Sequence, residues 1–479
     1  GPSWAESVAT AVVATLASGR GATVVVPGPR ELDRVRPALA AALPPEAFVV
    51  LTADLGPAER YRRWLAVRRG VARCVLGTLA AAWAPVRDLG LAVCWDDGDP
   101  LHKHRHAPYP HARDVLALRA HREGAALLVG GHVPSVEAAR LVETGWAKPL
   151  LPPRDVLRAV APRVEVAGGD VEKERDPAAE SARLPTVAWR AARAALADDA
   201  PVLLQVPRAG YQPALACADC RAPARCSACN GPLARPERGP AACRWCGRPA
   251  ADWSCRACGG RDLRAVVVGT RRTAEELGRA FAGVPVRTSD RESIVPSVEA
   301  RAALVVATPG AEPVAEGGYG AVLLLDGWAL LARPDLRAGE DALRRWTGAA
   351  ALARPGARVV VMADAALPVV QALLRWDPAW YARRELADRA ALGFPPAVRM
   401  AAVDGTPAAV ANLLGATPLP GGADVLGPVP YGDGERALVR VPRADGRALA
   451  AALKTGLATL SARKSGEFAR VELDPLVLI

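Results

Sequence analysis

The sequence predicts an α/β protein: two parallel-sheet lobes in series, a cysteine-rich module inserted into the second, and a small C-terminal α+β region. Three observations carry that expectation. Short runs rich in Val, Leu and Ala alternate with helix-forming stretches, twice over, as strands buried on both faces of a parallel sheet do. Four Cys-x-x-Cys pairs crowd between Cys217 and Cys258 and break the second series after its first strand. From residue 396 the alternation gives way to a shorter mixed pattern that closes on a strand-like run at 469–473. The 479 residues, 51% apolar and 23% charged, suit three or four globular domains. No apolar run nears the ~20 residues a membrane span needs, and no basic-then-apolar leader opens the chain. A soluble intracellular protein without a membrane partner is expected.

In the first 150 residues, 23–26, 48–51, 74–76, 91–95 and 126–129 read as strands, with helical stretches at 57–69 and 111–122 between them. Cys74 and Cys94 fall inside two of these strands and read as plain core residues. Residues 151–185 turn polar and charged and read as a connection. The second lobe takes 186–212 and 262–395, with strands at 202–206, 265–268, 303–306, 322–325 and 359–362. Residues 213–261 form the cysteine module and 396–479 the C-terminal domain.

The module pairs Cys217 with Cys220, Cys226 with Cys229, Cys243 with Cys246, and Cys255 with Cys258. Two residues between thiolates let one tight turn present both sulfurs to a single tetrahedral ion, and Gly after Cys246 and Cys258 relaxes the turn behind them. Eight ligands make two closed four-sulfur sites, so two structural Zn2+ ions are expected. A disulfide framework is the alternative, and an intracellular chain argues against it. Spacing alone does not fix which pairs share an ion. Thirteen residues between the inner pairs is close to zinc-ribbon spacing, and the outer pairs then close around them. That gives Cys226, Cys229, Cys243 and Cys246 as one set, and Cys217, Cys220, Cys255 and Cys258 as the other.

Basic residues exceed acidic ones by 11, and only five are Lys. Arg abundance of this kind follows from a GC-rich genome, so its placement matters more than its amount. Residues 208–261 hold nine Arg against Asp219, Glu237 and Asp252. Such a patch is either a solvated surface or the footprint of a nucleic-acid partner.

Specific segments then resemble one family, the primosomal replication restart helicases (primosomal protein N′, PriA). Val26-Pro27 resembles the family's segment after its first nucleotide-binding motif, and Gly77-Thr78 through Trp83-Ala84-Pro85 its "GTRSALFAP". Asp96-Asp97 follows a strand as the family's Walker B does, and Tyr109 to Asp114 (YPHARD) resembles "RYHARD". Arg208-Ala209-Gly210-Tyr211 precedes the cysteines as "RRGY" does. Gly269 to Leu277 (GTRRTAEEL), Pro334 to Glu340 (PDLRAGE), Gly393 to Pro396 and Leu426 to Pro430 (LGPVP) match further signatures in order. The likeness covers essentially the whole chain. It implies two RecA-like helicase lobes, the zinc pairing given above, and a bacterial cytoplasmic, nucleoid-associated protein. It also implies forked or branched DNA as ligand, with single-stranded DNA-binding protein and the replicative helicase or its loader as partners. A monomer is expected. The family's N-terminal DNA-binding domains are not among these 479 residues.

Against that family the nucleotide motifs depart together. A phosphate-binding loop needs Gly-Lys-Ser/Thr, and none of the five Lys follows a Gly. Trp4-Ala5 stands where Lys-Thr belongs, and Asp96-Asp97-Gly98-Asp99 where the family has Asp-Glu-Glu-His. "GSATPS" has become Gly130-Gly131-His132-Val133-Pro134-Ser135, and the arginine motif "AGRAGR" has become Thr347-Gly348-Ala349-Ala350-Ala351-Leu352. Actinobacterial members of the family are similar in this respect. The reading is therefore a restart protein without ATPase or helicase activity, with no catalytic residue and no bound ATP. The alternatives are an active 3′-5′ helicase whose nucleotide site is unrecognised, and a zinc-ribbon scaffold for RNA or protein.

One loop completes the candidates. Four of six His lie between His102 and His111, interleaved with Lys103, Arg105 and Arg113. A solvated loop is the plain reading. Tyr109, His111 and Arg113 are the DNA-contact candidates, since an aromatic ring among cations can stack on and neutralise single-stranded DNA.

Overall fold

The computed structural model describes residues 3–167, 184–207, 215–220, 222–235, 239–244, 246–265, 270–333, 335–462 and 468–478. The fold class is the one the sequence predicts. The chain divides into two compact units, Gly1–Lys148 with Ala382–Ile479, and Pro149–Tyr381.

The first lobe is a five-stranded sheet built from β1 (Gly21–Val25), β2 (Phe48–Leu51), β3 (Cys74–Gly77), β4 (Leu89–Trp95) and β5 (Ala126–Gly130) in the order β2-β3-β1-β4-β5, parallel throughout. Successive side chains of a strand point to opposite faces, and the two faces bury different partners. Val24, Leu76 and Val93 pack with α1 (Trp4–Ala17) and α2 (Pro29–Ala42) through Val8, Val12, Val35 and Leu39. Val25, Val75, Ala92 and Cys94 pack on the other side with Val67 of α3 (Pro57–Arg69) and Leu116 of α4 (Ala112–Glu123). Each such Val or Leu removed from water contributes about 1.5–3 kcal/mol, which is why strands apolar on both faces settle in the middle of the layers. A Cβ at Gly77 would overlap the Leu51 carbonyl, so only Gly lets β2 and β3 lie this close at the Gly77-Thr78 motif. A fifth helix, α5 (Val136–Glu143), follows β5.

The second unit holds a six-stranded parallel sheet of β6 (Arg163–Ala167), β7 (Val202–Gln205), β12 (Val286–Ser289), β14 (Leu304–Ala307), β16 (Tyr319–Leu324) and β17 (Ala353–Met362), ordered β12-β14-β7-β16-β17-β6. Between them in sequence lie the short strands of the cysteine module and a small pair, β13 (Ser297–Val298) with β15 (Val314–Ala315). Leu204, Leu304, Leu323 and Val360 bury one face against Ala188, Ala191, Ala192 and Ala195 of the helix Thr186–Ala197, whose small side chains let helix and sheet approach closely.

Two expectations change here. Residues 151–185 are not simply a connection: their helix Arg154–Val160 and strand β6 belong to this lobe, and β6 pairs with β17 at the sheet's edge. Its Arg163-Val164-Glu165-Val166 alternation keeps a polar face, as an edge strand does, so composition disguised it. The strand expected at 265–268 is β11 (Leu263–Ala265), which pairs instead with a module strand, and residues 266–268 lie outside those described.

The C-terminal region is an antiparallel sheet, β19-β20-β18-β21, of β18 (Val398–Gly405), β19 (Asp424–Tyr431), β20 (Gly434–Pro442) and β21 (Arg470–Leu473). Val403, Val439 and Val441 bury one face under the helices Pro407–Ala416 and Gly446–Ala462 through Val410, Leu413, Leu449 and Leu453. It belongs to the first lobe's unit. No described helix is long and apolar enough to cross a membrane.

Candidate metal centres and the strand-edge site

The module is two small ribbons. Strand β8 (Leu215–Cys217) pairs with β11, and β9 (Leu233–Ala234) pairs with β10 (Ala242–Cys243), all antiparallel. Three of the four Cys-x-x-Cys pairs sit on the same turn. The backbone N–H of Cys226 donates to the Gly231 carbonyl and that of Asn230 to the Cys226 carbonyl. Cys243 with Gly247, and Cys255 with Gly259, repeat the pattern. The residue after the second cysteine takes left-handed φ in each, at Asn230 (59°), Gly247 (72°) and Gly259 (77°). Gly and Asn adopt that conformation with least strain, so Asn230 fills a role that only the two glycines announced in the sequence.

These turns bring the sulfurs together in two sets, Cys217, Cys220, Cys255 and Cys258, and Cys226, Cys229, Cys243 and Cys246, with all ligand atoms of a set within 4.8 Å of one another. Sulfur–sulfur separations of 3.5 Å for Cys217–Cys258 and Cys220–Cys255, 3.4 Å for Cys229–Cys243 and 3.8 Å for Cys226–Cys246 are far too long for disulfides. They approach the edge, about 3.8 Å, of a tetrahedron of sulfurs 2.3 Å from a central ion. The donor set therefore fits a thiolate-loving metal and leaves no open coordination position. Backbone N–H groups of Cys229 and Ala228 hold the Cys226 thiol down to about 6. A backbone N–H from Cys258 and burial oppose each other at Cys255, which settles at about 7. Their set partners Cys229 and Cys220 are pushed the other way, up to about 12, so in each set one sulfur ionises ahead of its neighbour. Leu215, Ala224 and Leu233 form a small core beneath, and Trp253 Nε1 donates to the Arg225 carbonyl at 3.0 Å. Arg235, Arg248, Arg256 and Arg261 are exposed around it, as are Asp219 and Asp252.

The second candidate lies at the C-terminal edge of the first lobe's sheet, where parallel-sheet proteins bind ligands. Asp96 and Asp97 follow β4 there, and Asp96 has left-handed φ (52°). Asp97 is buried, and its Oδ2 accepts from Arg113 Nη1 at 3.0 Å and from the Ser135 hydroxyl. Burial works against the Arg113 charge, but Asp114, Glu137 and Asp97 together outweigh it and raise the guanidinium's pKa. Trp4, in the first turn of α1, stacks on Trp95 with ring centroids 4.0 Å apart and planes 8° from parallel, and the His132 ring meets Trp95 edge-on. The first turn of α1 is closed by its own capping box, Ser3 Oγ accepting from Glu6 N–H and Glu6 Oε2 from Ser3 N–H. His102 is fully buried with Nε2 2.8 Å from the Trp95 carbonyl, and burial lowers its pKa.

The histidine loop differs from expectation. His111 and Arg113 are buried and committed inward: His111 Nδ1 accepts from the Arg113 backbone N–H, and Arg113 holds Asp97. Tyr109 is half-buried beneath the Arg470 guanidinium, 4.8 Å from its ring centroid, while Lys103 Nζ is 2.9 Å from Glu472 Oε1. The loop thus ties the lobe to β21, and His104, Arg105 and His106 are its exposed cationic members. In a sequence these contacts are invisible, because the partners lie some 370 residues apart. The Arg208-Ala209-Gly210-Tyr211 motif lies outside the described residues.

Residues 390–476 match the model of the primosomal protein N C-terminal domain. A Mycobacterium leprae protein named probable replication restart protein PriA is 52% identical over 99% of this chain and 76% of its own length. Its Mycobacterium tuberculosis namesake is 50% identical over 99% of this chain and 77% of its own, and the Treponema pallidum replication restart protein PriA is 29% identical over 73% of this chain and 55% of its own. Among solved structures, RecG bound to a three-way DNA junction aligns with 80% of this chain and 45% of its own, at TM-score 0.37 and 11% identity.

Proposed function

This chain belongs to the family of replication restart proteins PriA, and we propose that it serves restart by recognising forked or branched DNA and recruiting primosome proteins, without ATP-driven unwinding. One observation carries the second half. At the strand edge where the family's resemblance puts its nucleotide motifs, Asp97 is bound by Arg113 and Ser135 and Trp4 stacks on Trp95. Phosphoryl transfer needs a Lys on the phosphates and a carboxylate free to hold magnesium. Here the Lys position is Trp4, and the carboxylate is already neutralised by a buried guanidinium. That set of residues does not suit ATP.

The two four-cysteine sets are proposed to hold two Zn2+ ions. Closed thiolate sites are structural, and metal binding is folding free energy for modules with so small a core. The exposed Arg235, Arg248, Arg256 and Arg261 are proposed to meet phosphate oxygens. Of the histidine loop, His104 and Arg105 rather than the buried His111 and Arg113 are proposed as its DNA contacts, with Tyr109 as part of their support. Single-stranded DNA-binding protein and the replicative helicase or its loader are the proposed partners. The protein is proposed to act as a monomer in the bacterial cytoplasm, at the nucleoid.

The test measures forked-DNA binding and phosphate release in the same samples. Binding that favours forks over duplex, with phosphate release at background, is the expected outcome. Fork-stimulated ATP hydrolysis would replace this reading with that of an active helicase.

A further inference from the structure

A cleft of about 480 Å³ opens on the first lobe, lined by Leu65, Arg68, Arg69 and Arg87. It sits at the opposite edge of the sheet from Asp97. Helix α3 ends at Arg69, β3 starts at Cys74, and Arg87 lies two residues before β4 begins at Leu89, so the cleft lies where strands start. The backbones of Arg73 and Asp88 bond to Ala22 and Gly21 at the start of β1. Ligands of parallel sheets gather at the other edge, and nothing described above uses this one.

Its construction is specific. Gly70 ends α3 with left-handed φ (78°), and a Cβ there would lie 2.9 Å from Arg87 Cδ. The missing side chain lets Arg87 lie across the helix end, with Nη1 3.4 Å from the Arg69 carbonyl. Three Arg residues, two from α3 and one from the segment before β4, therefore line one concavity. Among the described residues no carboxylate comes within ion-pair distance of any of them, whereas Arg62 and Arg63, one turn earlier, are both held by Glu59. Cations at a helix C-terminus favour the helix dipole, and Arg87, reaching the Arg69 carbonyl from the segment before β4, adds a third cation there. Like charges gathered without counter-ions repel one another, and an anion relieves that repulsion. Planar guanidinium forks suit phosphate oxygens.

We propose that Arg68, Arg69 and Arg87 form a phosphate-binding cleft for the nucleic-acid backbone. This rests on the DNA-binding reading above. The backbone is favoured over an acidic peptide because Leu65 is the cleft's one apolar lining residue, too little for a peptide's side chains.

The experiment follows forked-DNA affinity of the whole protein across salt from ~50 to ~200 mM, the range in which counterion release is read. The parent is compared with R68Q/R69Q/R87Q and with R68K/R69K/R87K. The Gln variant is expected to bind at least about 10-fold more weakly, with the slope of log affinity against log salt flatter by about 2–3, one unit per lost phosphate contact. The Lys variant keeps the parent's slope. Parent-like affinity and slope in the Gln variant, with the parent binding normally, overturns the cleft and leaves the DNA reading standing. No binding by the parent overturns both. Binding of a poly-glutamate peptide that the Gln variant loses, while its DNA affinity is unchanged, overturns the proposal in favour of an acidic protein partner.

Discussion

Arg113 Nη1 lies 3.0 Å from Oδ2 of Asp97, and both side chains are buried, 8% and 2% exposed. A guanidinium from the first turn of α4 thereby neutralises the carboxylate that follows β4, across the strand edge where the family's motifs fall. The pair is a structural bond in a place usually kept for a ligand. Removing one partner of a buried pair leaves an uncompensated charge and costs about 3–5 kcal/mol, while replacing both can be neutral. Arg113→Leu should therefore unfold at much lower denaturant than the parent, and Asp97→Asn with Arg113→Leu should recover part of the loss. Chemical denaturation of the parent, Arg113→Leu, Asp97→Asn and the double variant measures it. Independent, additive effects would show that the contact does not couple the two residues.

The second lobe makes a pH prediction. Burial pushes the Asp341 carboxyl up, but Arg345, Arg344 and Arg333 outweigh it and hold it at about 2. Oδ1 lies 3.0 Å from Arg345 Nε and Oδ2 2.7 Å from Arg333 Nη2. A folded-state pKa below the unfolded value gives stability that is complete above the usual carboxylate range and lost as pH falls through the folded value. The contribution is about 2 kcal/mol, at about 1.4 kcal/mol for each tenfold change in proton affinity between the folded and unfolded chain. The Asp341→Asn variant should thus be less stable than the parent at pH ~6, and the difference should shrink as pH approaches ~2. Thermal unfolding across that range checks it. A constant difference would mean that Asp341 acts through packing alone.

Metal content is the third prediction. Elemental analysis of reduced, purified protein should find two zinc ions per chain. Cys226→Ser should lose one, because its sulfur closes the set with Cys229, Cys243 and Cys246. Structural zinc supplies ~10 kcal/mol or more of folding free energy in such modules, so limited proteolysis should cut this variant within the module and spare the lobes. One ion or none in the parent counts against both clusters.

Much of this was legible in the sequence, for physical reasons that differ by element. The lobe strands announced themselves because both faces are buried, so Val and Leu run without interruption, as at 202–206. Ligand spacing announced the cysteine sets, since two residues between sulfurs has few uses. Edge strand β6 was missed because one face stays polar. The burial of His111 and Arg113 was hidden for another reason. A cation-rich loop looks solvated until the fold supplies Asp97 and Ser135 from distant positions. Charge type is visible in a sequence; charge partnership is a property of the fold.

On the proposed reading the strand edge of the first lobe does not hold ATP for hydrolysis, and restoring two residues should not change that. If loss of the Lys and Thr were the whole cause, Trp4→Lys with Ala5→Thr should restore DNA-stimulated phosphate release. The structure argues that it does not. With Lys at position 4 the Trp95 ring loses its stacking partner, but Asp97 stays bound to Arg113 and Ser135 and remains unavailable to magnesium. In the second lobe, residues 347–352 read Thr-Gly-Ala-Ala-Ala-Leu, without the arginines the family carries there, and Arg344 and Arg345 just before them are held by Asp341. A missing transition-state arginine alone lowers phosphoryl-transfer rates by about 10³–10⁵. These losses fall on one transition state, so they need not multiply, yet each suffices. The double variant should stay at background in a phosphate-release assay with forked DNA, and adding Arg113→Leu should not raise it. Turnover above background in the double variant, abolished by Asp97→Ala, would mean that Asp97 can leave Arg113 for magnesium and that the site is dormant.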